Sequence, residues 1–509
     1  MAPVRRRGAA LCRGSRVFLV FLVAVALDVA SSSPRRGLGA SAAAGDAAEL
    51  ETETGSGPEW HVVSVADLLP AAVCTASQAA SNSSSASAFS VMHRHGPCSP
   101  LQTPGDAPSD ADLLDQDQAR VDSILGMITN ETSAVGPGVS LPAERGISVG
   151  TGNYVVSVGL GTPARDLTVV FDTGSDLSWV QCGPCSSGGC YKQQDPLFAP
   201  SDSSTFSAVR CGARECRARQ SCGGSPGDDR CPYEVVYGDK SRTQGHLGND
   251  TLTLGTMAPA NASAENDNKL PGFVFGCGEN NTGLFGQADG LFGLGRGKVS
   301  LSSQAAGKFG EGFSYCLPSS SSSAPGYLSL GTPVPAPAHA QFTPMLNRTT
   351  TPSFYYVKLV GIRVAGRAIR VSSPRVALPL IVDSGTVITR LAPRAYRALR
   401  AAFLSAMGKY GYKRAPRLSI LDTCYDFTAH ANATVSIPAV ALVFAGGATI
   451  SVDFSGVLYV AKVAQACLAF APNGDGRSAG ILGNTQQRTL AVVYDVARQK
   501  IGFAAKGCS

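Results

Sequence analysis

Two aspartates carry the first candidate chemistry. Asp172 closes the apolar run Val169-Val170-Phe171 and opens Asp172-Thr173-Gly174-Ser175; Asp383 closes Leu380-Ile381-Val382 and opens Asp383-Ser384-Gly385-Thr386. A single Asp-Thr-Gly means little, because Asx-turns produce such triplets in many proteins. Here, however, each turn is followed later by an apolar pair bracketed by glycines, Gly290-Leu291-Phe292-Gly293 and Gly480-Ile481-Leu482-Gly483. An ordered repeat of this kind predicts two related halves, and a pseudo-two-fold axis would bring both aspartates to one place. Two carboxylates at hydrogen-bond distance cannot both ionise, so they share a proton. One is then a general base and the other a general acid around one water, the pair needed to attack a peptide carbonyl and protonate its leaving nitrogen. Gly174 and Gly385 let backbone N–H groups approach the carboxylates with no Cβ in the way. The hydroxyls of Ser175 and Thr386 are placed to bond the outer oxygens.

The elements that must hold these turns are mostly strands. Alternating or fully apolar runs at Tyr154-Val158, Leu167-Phe171, Tyr233-Tyr237, Gly272-Phe275, Tyr355-Val364, Leu378-Val382, Ala439-Phe444 and Leu490-Tyr494 are punctuated by Gly, Pro and Asn. Pro393 opens one clear helix, with Tyr396, Leu399, Phe403 and Met407 at helical spacing. A second helix is expected near Asp112 to Ile128, from Leu114, Val121, Leu125 and Ile128. It falls in a stretch rich in Ala, Ser, Gly, Asp and Pro, from about Pro34 to Gly138, that reads as a segment placed ahead of a mainly β globular unit.

Composition narrows the class. The chain has 509 residues, 44% hydrophobic and only 16% charged, which rules out disorder for its bulk. A net charge of +6 over this length argues for neither nucleic acid nor an acidic partner. Fifteen cysteines point to an oxidising compartment. Arg5, Arg6, Arg7, Arg13 and Arg16 precede an apolar Val17 to Leu27, the pattern of a secretory signal peptide, with an uncleaved anchor or a transit peptide as alternatives.

These features together resemble the pepsin-like aspartic proteases, and in particular the plant nepenthesin-like branch, over roughly Gly150 to Cys508. The resemblance rests on Asp172-Thr-Gly-Ser-Asp-Leu-Ser-Trp179, Tyr237-Gly-Asp, Ala288-Asp-Gly-Leu-Phe-Gly-Leu-Gly, Val382-Asp-Ser-Gly-Thr386 and Gly480-Ile-Leu-Gly-Asn. Met92-His-Arg-His-Gly-Pro-Cys-Ser-Pro100 is similar to the propeptide of a subgroup close to chloroplast-nucleoid proteases. The implied fold is bilobal and mainly β, with lobes related by a pseudo-two-fold axis. The implied organisation is a signal peptide over 1–32, a propeptide over 33–145, an N-terminal lobe with a cysteine-rich insertion and flap over 146–335, and a C-terminal lobe over 336–509. The resemblance implies a dyad of Asp172 and Asp383, a flap tyrosine at Tyr237 paired with Trp179, and cross-linking of the two loops by Thr173 and Ser384. It also implies disulfides Cys182–Cys185, Cys190–Cys277, Cys211–Cys231, Cys216–Cys222, Cys316–Cys508 and Cys424–Cys467. Where the branch usually has Tyr-Gly-Asp-Gly-Ser in the flap, this chain has Tyr237-Gly238-Asp239-Lys240-Ser241.

The expected activity is acid-pH peptide hydrolysis by an aspartic endopeptidase made as a secreted zymogen. Substrates would be peptides or proteins, with no cofactor, metal, nucleic acid or stable membrane anchor, and the protein a monomer. The apoplast or extracellular space is the expected destination, with vacuole and chloroplast as alternatives. The rival is a catalytically silent homologue that binds a partner, similar to plant xylanase inhibitors. Other motifs have bland readings. Cys182-Gly-Pro-Cys185 has the thioredoxin spelling but lacks the helix that follows it, and Cys182, Cys185 and Cys190 lack a fourth zinc ligand. Gly159-x-Gly161-x-x-Ala164 is followed by a strand, and Gly223-x-Ser225-x-Gly227 lies in an irregular loop. Sequons at Asn249, Asn261, Asn280, Asn347 and Asn432 are candidate glycan sites. Within the leader, His93-Arg94-His95 is expected to pair with carboxylates of the globular unit near neutrality and to let go on acidification.

Overall fold

The computed structural model describes residues 59–508, apart from 72, 76–87, 102–107, 132–153, 186–187, 217–221, 223–227, 238–240, 256–267, 332–336, 338, 349–350, 370–377 and 475–478. The signal segment, the flap tip with Lys240, Asn261 and Gly223-x-Ser225-x-Gly227 lie outside the described residues. Among the described residues no helix is long and apolar enough to cross a membrane.

The fold is mainly β, and its two largest sheets hold one copy of the repeat each. Strands β3 (Tyr154–Leu160), β4 (Arg165–Asp172) and β5 (Trp179–Gln181) belong to a 14-stranded sheet, whereas Leu378–Val382 and Gly480–Leu482 belong to an 8-stranded one. In both, the Asp-bearing strand runs parallel to the glycine-bracketed strand in the same register: Val170 faces Leu291, and Ile381 faces Ile481. Each aspartate thus leaves its strand two residues past an equivalent pair. Glycine brackets the apolar pairs because backbone crowds them. A Cβ on Gly290 would come within 2.0 Å of the Trp179 carbonyl oxygen, and one on Gly480 within 2.7 Å of that of Arg390.

The expected strands are present with shifted ends. The largest extension is Lys269–Thr282, where Gly272-Phe275 alone was anticipated. Its polar second half has no apolar signal, but it is held by a long ladder to Arg242–Thr253, in which Gly245 faces Gly278. The expected helix at Pro393 spans Pro393–Met407, with proline at its start, where a missing N–H costs nothing.

The segment ahead of β3 is woven into the molecule. β1 (Trp60–Ser64) pairs with Thr434–Pro438, and β2 (Ala88–His93) lies between β3 and Gly326–Leu330, antiparallel to both. A disulfide, Cys74–Cys98, joins the stretches around these two strands. Helix α1 (Asp110–Glu131) follows. Ser109 opens it: its hydroxyl accepts from the Asp112 N–H, while Asp112 accepts from the Ser109 N–H, a reciprocal cap. Its buried face carries Leu114, Val121, Ile124, Leu125 and Ile128. Val121 to Ile128 pack on Phe354, Tyr356, Ile381 and Ile481, and Leu114 packs on Val387 and Ile388. α1 therefore lies on the second copy of the repeat.

Candidate active site

The two Asp turns meet at the junction of the sheets. Thr173 and Ser384 exchange hydrogen bonds beneath them: the Thr173 N–H donates to Ser384 Oγ at 3.0 Å, and the Ser384 N–H to Thr173 Oγ1 at 2.9 Å. Above this link both carboxylates are fully buried. Asp172 Oδ1 accepts from the Gly174 N–H and Asp383 Oδ1 from the Gly385 N–H, each at 3.0 Å. Both glycines are required here, since a Cβ on Gly174 would lie 2.7 Å from Asp383 Oδ1 and one on Gly385 2.4 Å from Asp172 Oδ1. The Asn484 side chain donates to the Ser384 carbonyl and that of Gln487 to the Asp383 carbonyl, fixing the second turn from below.

The outer oxygens are treated unequally. Thr386 Oγ1 donates to Asp383 Oδ2 at 2.5 Å. Ser175 Oγ, expected to do the same for Asp172, has no hydrogen-bond partner among the described residues, and neither has Asp172 Oδ2. That expectation is corrected for Ser175 in this state of the protein.

Arg120 of α1 occupies the site. Its Nη2 lies 2.7 Å from Asp172 Oδ1 and 2.9 Å from Asp383 Oδ1, and its Nε donates to Asp383 Oδ2 at 3.2 Å and to Thr386 Oγ1 at 3.3 Å. Burial opposes charge on Arg120, but the attraction of Asp172 and Asp383 outweighs it and holds the guanidinium pKa above its ordinary value. Burial also pushes the Asp383 carboxyl up, to about 6; Arg120 pulls against that rise and the Asp172 charge adds to it. One turn before Arg120, Asp117 is buried as well. It accepts from the Val387 and Ile388 N–H groups and from Arg390 Nη2.

The basic cluster His93-Arg94-His95 does not pair with carboxylates as anticipated. Arg94 is buried and donates to the Phe285 carbonyl at 2.7 Å. Burial, with Arg488 and His95 nearby, pushes His93 well below its ordinary value, and burial beside Arg94 brings His95 to about 4. The residue that meets the dyad is Arg120, and the sequence reading missed it. Its signal was an apolar helix face interrupted at helical spacing by Asp117 and Arg120, the latter the only cation in α1.

Tyr237 is paired with Trp179. Its N–H donates to the Ser241 carbonyl across the hairpin, and its hydroxyl accepts from Trp179 Nε1 at 2.6 Å. Phe285 packs edge-on against both rings.

Four implied disulfides are corrected. Cys182 bonds Cys277 and Cys185 bonds Cys190, in place of Cys182–Cys185 and Cys190–Cys277. The reason is register: β5 runs parallel to Lys269–Thr282 with Val180 opposite Cys277, which carries Cys182 to that cysteine. Likewise Cys211 bonds Cys222 and Cys216 bonds Cys231, in place of Cys211–Cys231 and Cys216–Cys222. These sulfurs crowd together, with Cys216 Sγ only 3.6 Å from Cys222 Sγ, so spacing along the chain does not choose between the pairings. Cys316 is joined to Cys508 and Cys424 to Cys467.

Family models described as xylanase inhibitor N-terminal and xylanase inhibitor C-terminal match residues 154–332 and 354–505. The chain is 42% identical over 468 residues to an aspartyl protease family protein of Arabidopsis thaliana, covering 90% of this chain and 94% of that one. Aspartyl protease AED1 of Arabidopsis thaliana is 41% identical, with the same two coverages of 90% and 94%. Aspartic proteinase nepenthesin-1 of Nepenthes gracilis is 33% identical, covering 72% of this chain and 80% of that one. Basic 7S globulin from soybean shares the fold, with a TM-score of 0.55 at 22% identity over 70% of this chain and 92% of that one. The chain belongs to the pepsin-like aspartic proteases, in the plant nepenthesin-like branch. Its class of activity is that of an aspartic endopeptidase acting on peptides or proteins.

Proposed function

We propose that this chain is the zymogen of a secreted endopeptidase that hydrolyses peptide bonds at acid pH through one water held between Asp172 and Asp383. The observation that carries the reading is the position of Arg120 Nη2, one nitrogen within hydrogen-bond distance of both carboxylates. Where one nitrogen touches both, one water oxygen can do so too. With the helix gone, the two carboxylates share a proton. The ionised one takes a proton from the water as its oxygen attacks the peptide carbonyl carbon, and the protonated one gives its proton to the carbonyl oxygen. Collapse of the tetrahedral adduct breaks the C–N bond as the newly protonated carboxyl gives its proton to the leaving nitrogen and the other, now ionised, takes one from a hydroxyl of the adduct, which restores the single shared proton. Thr386 holds Asp383 in orientation, and Tyr237, braced by Trp179, covers the substrate.

In this reading residues 1–32 are a signal peptide, 33–145 a propeptide, and 146–335 and 336–509 the two lobes of a monomeric enzyme. The disulfides support passage through an oxidising compartment. Two intact Asp turns and an intact Tyr237, together with relatives named as proteases, disfavour the silent partner-binding alternative. The test is to acidify the full secreted chain to about pH 4, within the carboxylate range, and follow peptide hydrolysis and the N-terminal sequence. Cleavage between α1 and Tyr154, with pepstatin-sensitive activity abolished equally by Asp172→Asn and Asp383→Asn, is expected. Near wild-type turnover in either variant would overturn the mechanism.

A further inference from the structure

One buried ion pair near the dyad is not used by the mechanism above. Asp117 and Arg390 are both fully buried, and their pair spans the boundary between the leader and the catalytic unit. The Asp117 carboxylate is held by three donors: the Val387 N–H at 2.6 Å on Oδ1, and the Ile388 N–H at 3.2 Å and Arg390 Nη2 at 2.9 Å on Oδ2. All three belong to the segment that directly follows Asp383-Ser384-Gly385-Thr386, so they stay behind when the helix leaves.

We propose that Arg390 and the amides of Val387 and Ile388 form a carboxylate-binding subsite of the substrate cleft, which Asp117 fills in the zymogen and an acidic substrate side chain fills during catalysis. This rests on the reading of α1 as the occupant of the cleft. Asp117 precedes Arg120 by three residues, about 4.5 Å along a helix axis. An extended substrate advances about 3.3 Å per residue. The selected side chain therefore lies one or two residues from the scissile bond, where Arg120 now meets the dyad.

The chemistry favours a carboxylate over other occupants. A guanidinium and two peptide N–H groups offer only donors, and an ionised carboxyl group is a pure acceptor with room for all three. Without an acceptor, the Arg390 side chain would keep, among the described residues of the catalytic unit, only the Ile388 carbonyl as a partner. A buried guanidinium left in that state is strongly disfavoured, so the open cleft has reason to draw in an anion. Strand pairing shows that this position does not need a cation for the scaffold. Arg390 faces Ile481 as Trp179 faces Leu291, and Trp179 serves the first half through an uncharged hydrogen bond to Tyr237.

The experiment uses the full chain after acidification, assayed on peptides that differ only by Glu against Gln at each of three positions on either side of the cleaved bond. One position should show roughly tenfold higher kcat/KM for Glu at pH 5, the size expected for hydrogen bonds to a charged group. The preference should shrink toward pH 3 as the substrate carboxyl, ordinarily near 4.3, protonates. Arg390→Gln should bring the ratio close to one, and Arg390→Lys should leave an intermediate value. Hydrolysis with no Glu preference at any position, or a preference unchanged by Arg390→Gln, would overturn the subsite while leaving the protease reading intact. If Arg390→Gln does not fold, the wild-type positional scan and its pH dependence decide the matter. Absence of any dyad-dependent hydrolysis would sink the protease reading itself.

Discussion

The two Asp turns share a scaffold and differ in what they hold. In each half the glycine after the apolar pair donates to a hydroxyl six residues past the aspartate: Gly293 N–H to Ser178 Oγ at 3.2 Å, and Gly483 N–H to Thr389 Oγ1 at 3.0 Å. One residue further on the halves part. Trp179 bonds Tyr237, whereas Arg390 receives Asp117 of α1. Three residues past the aspartate they differ again, with the Thr386 hydroxyl bonded to Asp383 and to Arg120, and the Ser175 hydroxyl without a partner among the described residues. The duplicated strands thus fix where the carboxylates sit. The residues around them make the first half the side of the Tyr237 hairpin and the second half the side on which α1 is docked.

If the proposed reading of α1 as part of a propeptide holds, loosening it should have the largest effect on this asymmetry. Arg120→Gln deletes a buried cation from between two carboxylates, a change of about 3–5 kcal/mol for a buried pair. Self-processing of the full chain should then begin about one pH unit or more higher than in the wild type, as read by N-terminal sequencing across a pH series; an unchanged onset would show that Arg120 does not hold the leader. The wild-type onset follows from charge. At neutral pH the triad of Arg120 and two carboxylates carries one negative charge, so the first proton, taken up near pH 6 where Asp383 titrates, only neutralises it. A second proton would leave the buried Arg120 facing two neutral carboxyl groups, and release is expected at a lower pH than the first uptake. The histidines act in the same direction. His93 and His95 bind protons less readily folded than unfolded, so the stability their neutral forms lend this stretch is complete above about 6.5 and is lost as pH falls, for His95 toward about 4.

On the flap side the expected effect is smaller. Trp179→Phe keeps the contact with Phe285 but leaves the buried Tyr237 hydroxyl without its donor, at about 1–3 kcal/mol. A fall of roughly tenfold in kcat/KM on a peptide is expected, about 1.4 kcal/mol in the transition state. Equal activity would mean that Tyr237 is positioned by packing on Phe285 alone.

Much of this site is legible in the sequence because its parts are local. The dyad, the glycines against it and the apolar strands beneath it each lie within a few consecutive residues, and repetition separates them from chance. The α1 helix is legible from its periodicity, to within a few residues at each end. What was missed depends on long-range placement. Arg120 meets carboxylates 52 and 263 residues away, and nothing near it in the chain distinguishes it from a solvated arginine. His93-Arg94-His95 looks like an exposed basic cluster, yet β2 is inserted between two other strands, where burial dominates charge. The cysteine pairing failed for a similar reason, since four pairings depend on strand register and on sulfurs crowded within a few ångströms.

The smallest and most discriminating difference lies at the third residue past each aspartate. Thr386→Ala removes a donor to Asp383 and an acceptor for Arg120, both in a charged, buried network. Hydrogen bonds to charged groups contribute about 1.5–3 kcal/mol, so the leader-bound protein should lose about that much stability in denaturant unfolding at neutral pH. Ser175→Ala removes a buried hydroxyl that makes no hydrogen bond, and its burial is a cost rather than a gain. Its effect on the same measurement should fall within about 0.5 kcal/mol of zero, with the sign toward stabilisation. Equal losses in the two variants would mean that Ser175 does bond Asp172 in solution, and that the unequal treatment of the two carboxylates is not a property of the leader-bound state. A loss confined to Thr386→Ala would place the leader's hold on the second half of the repeat.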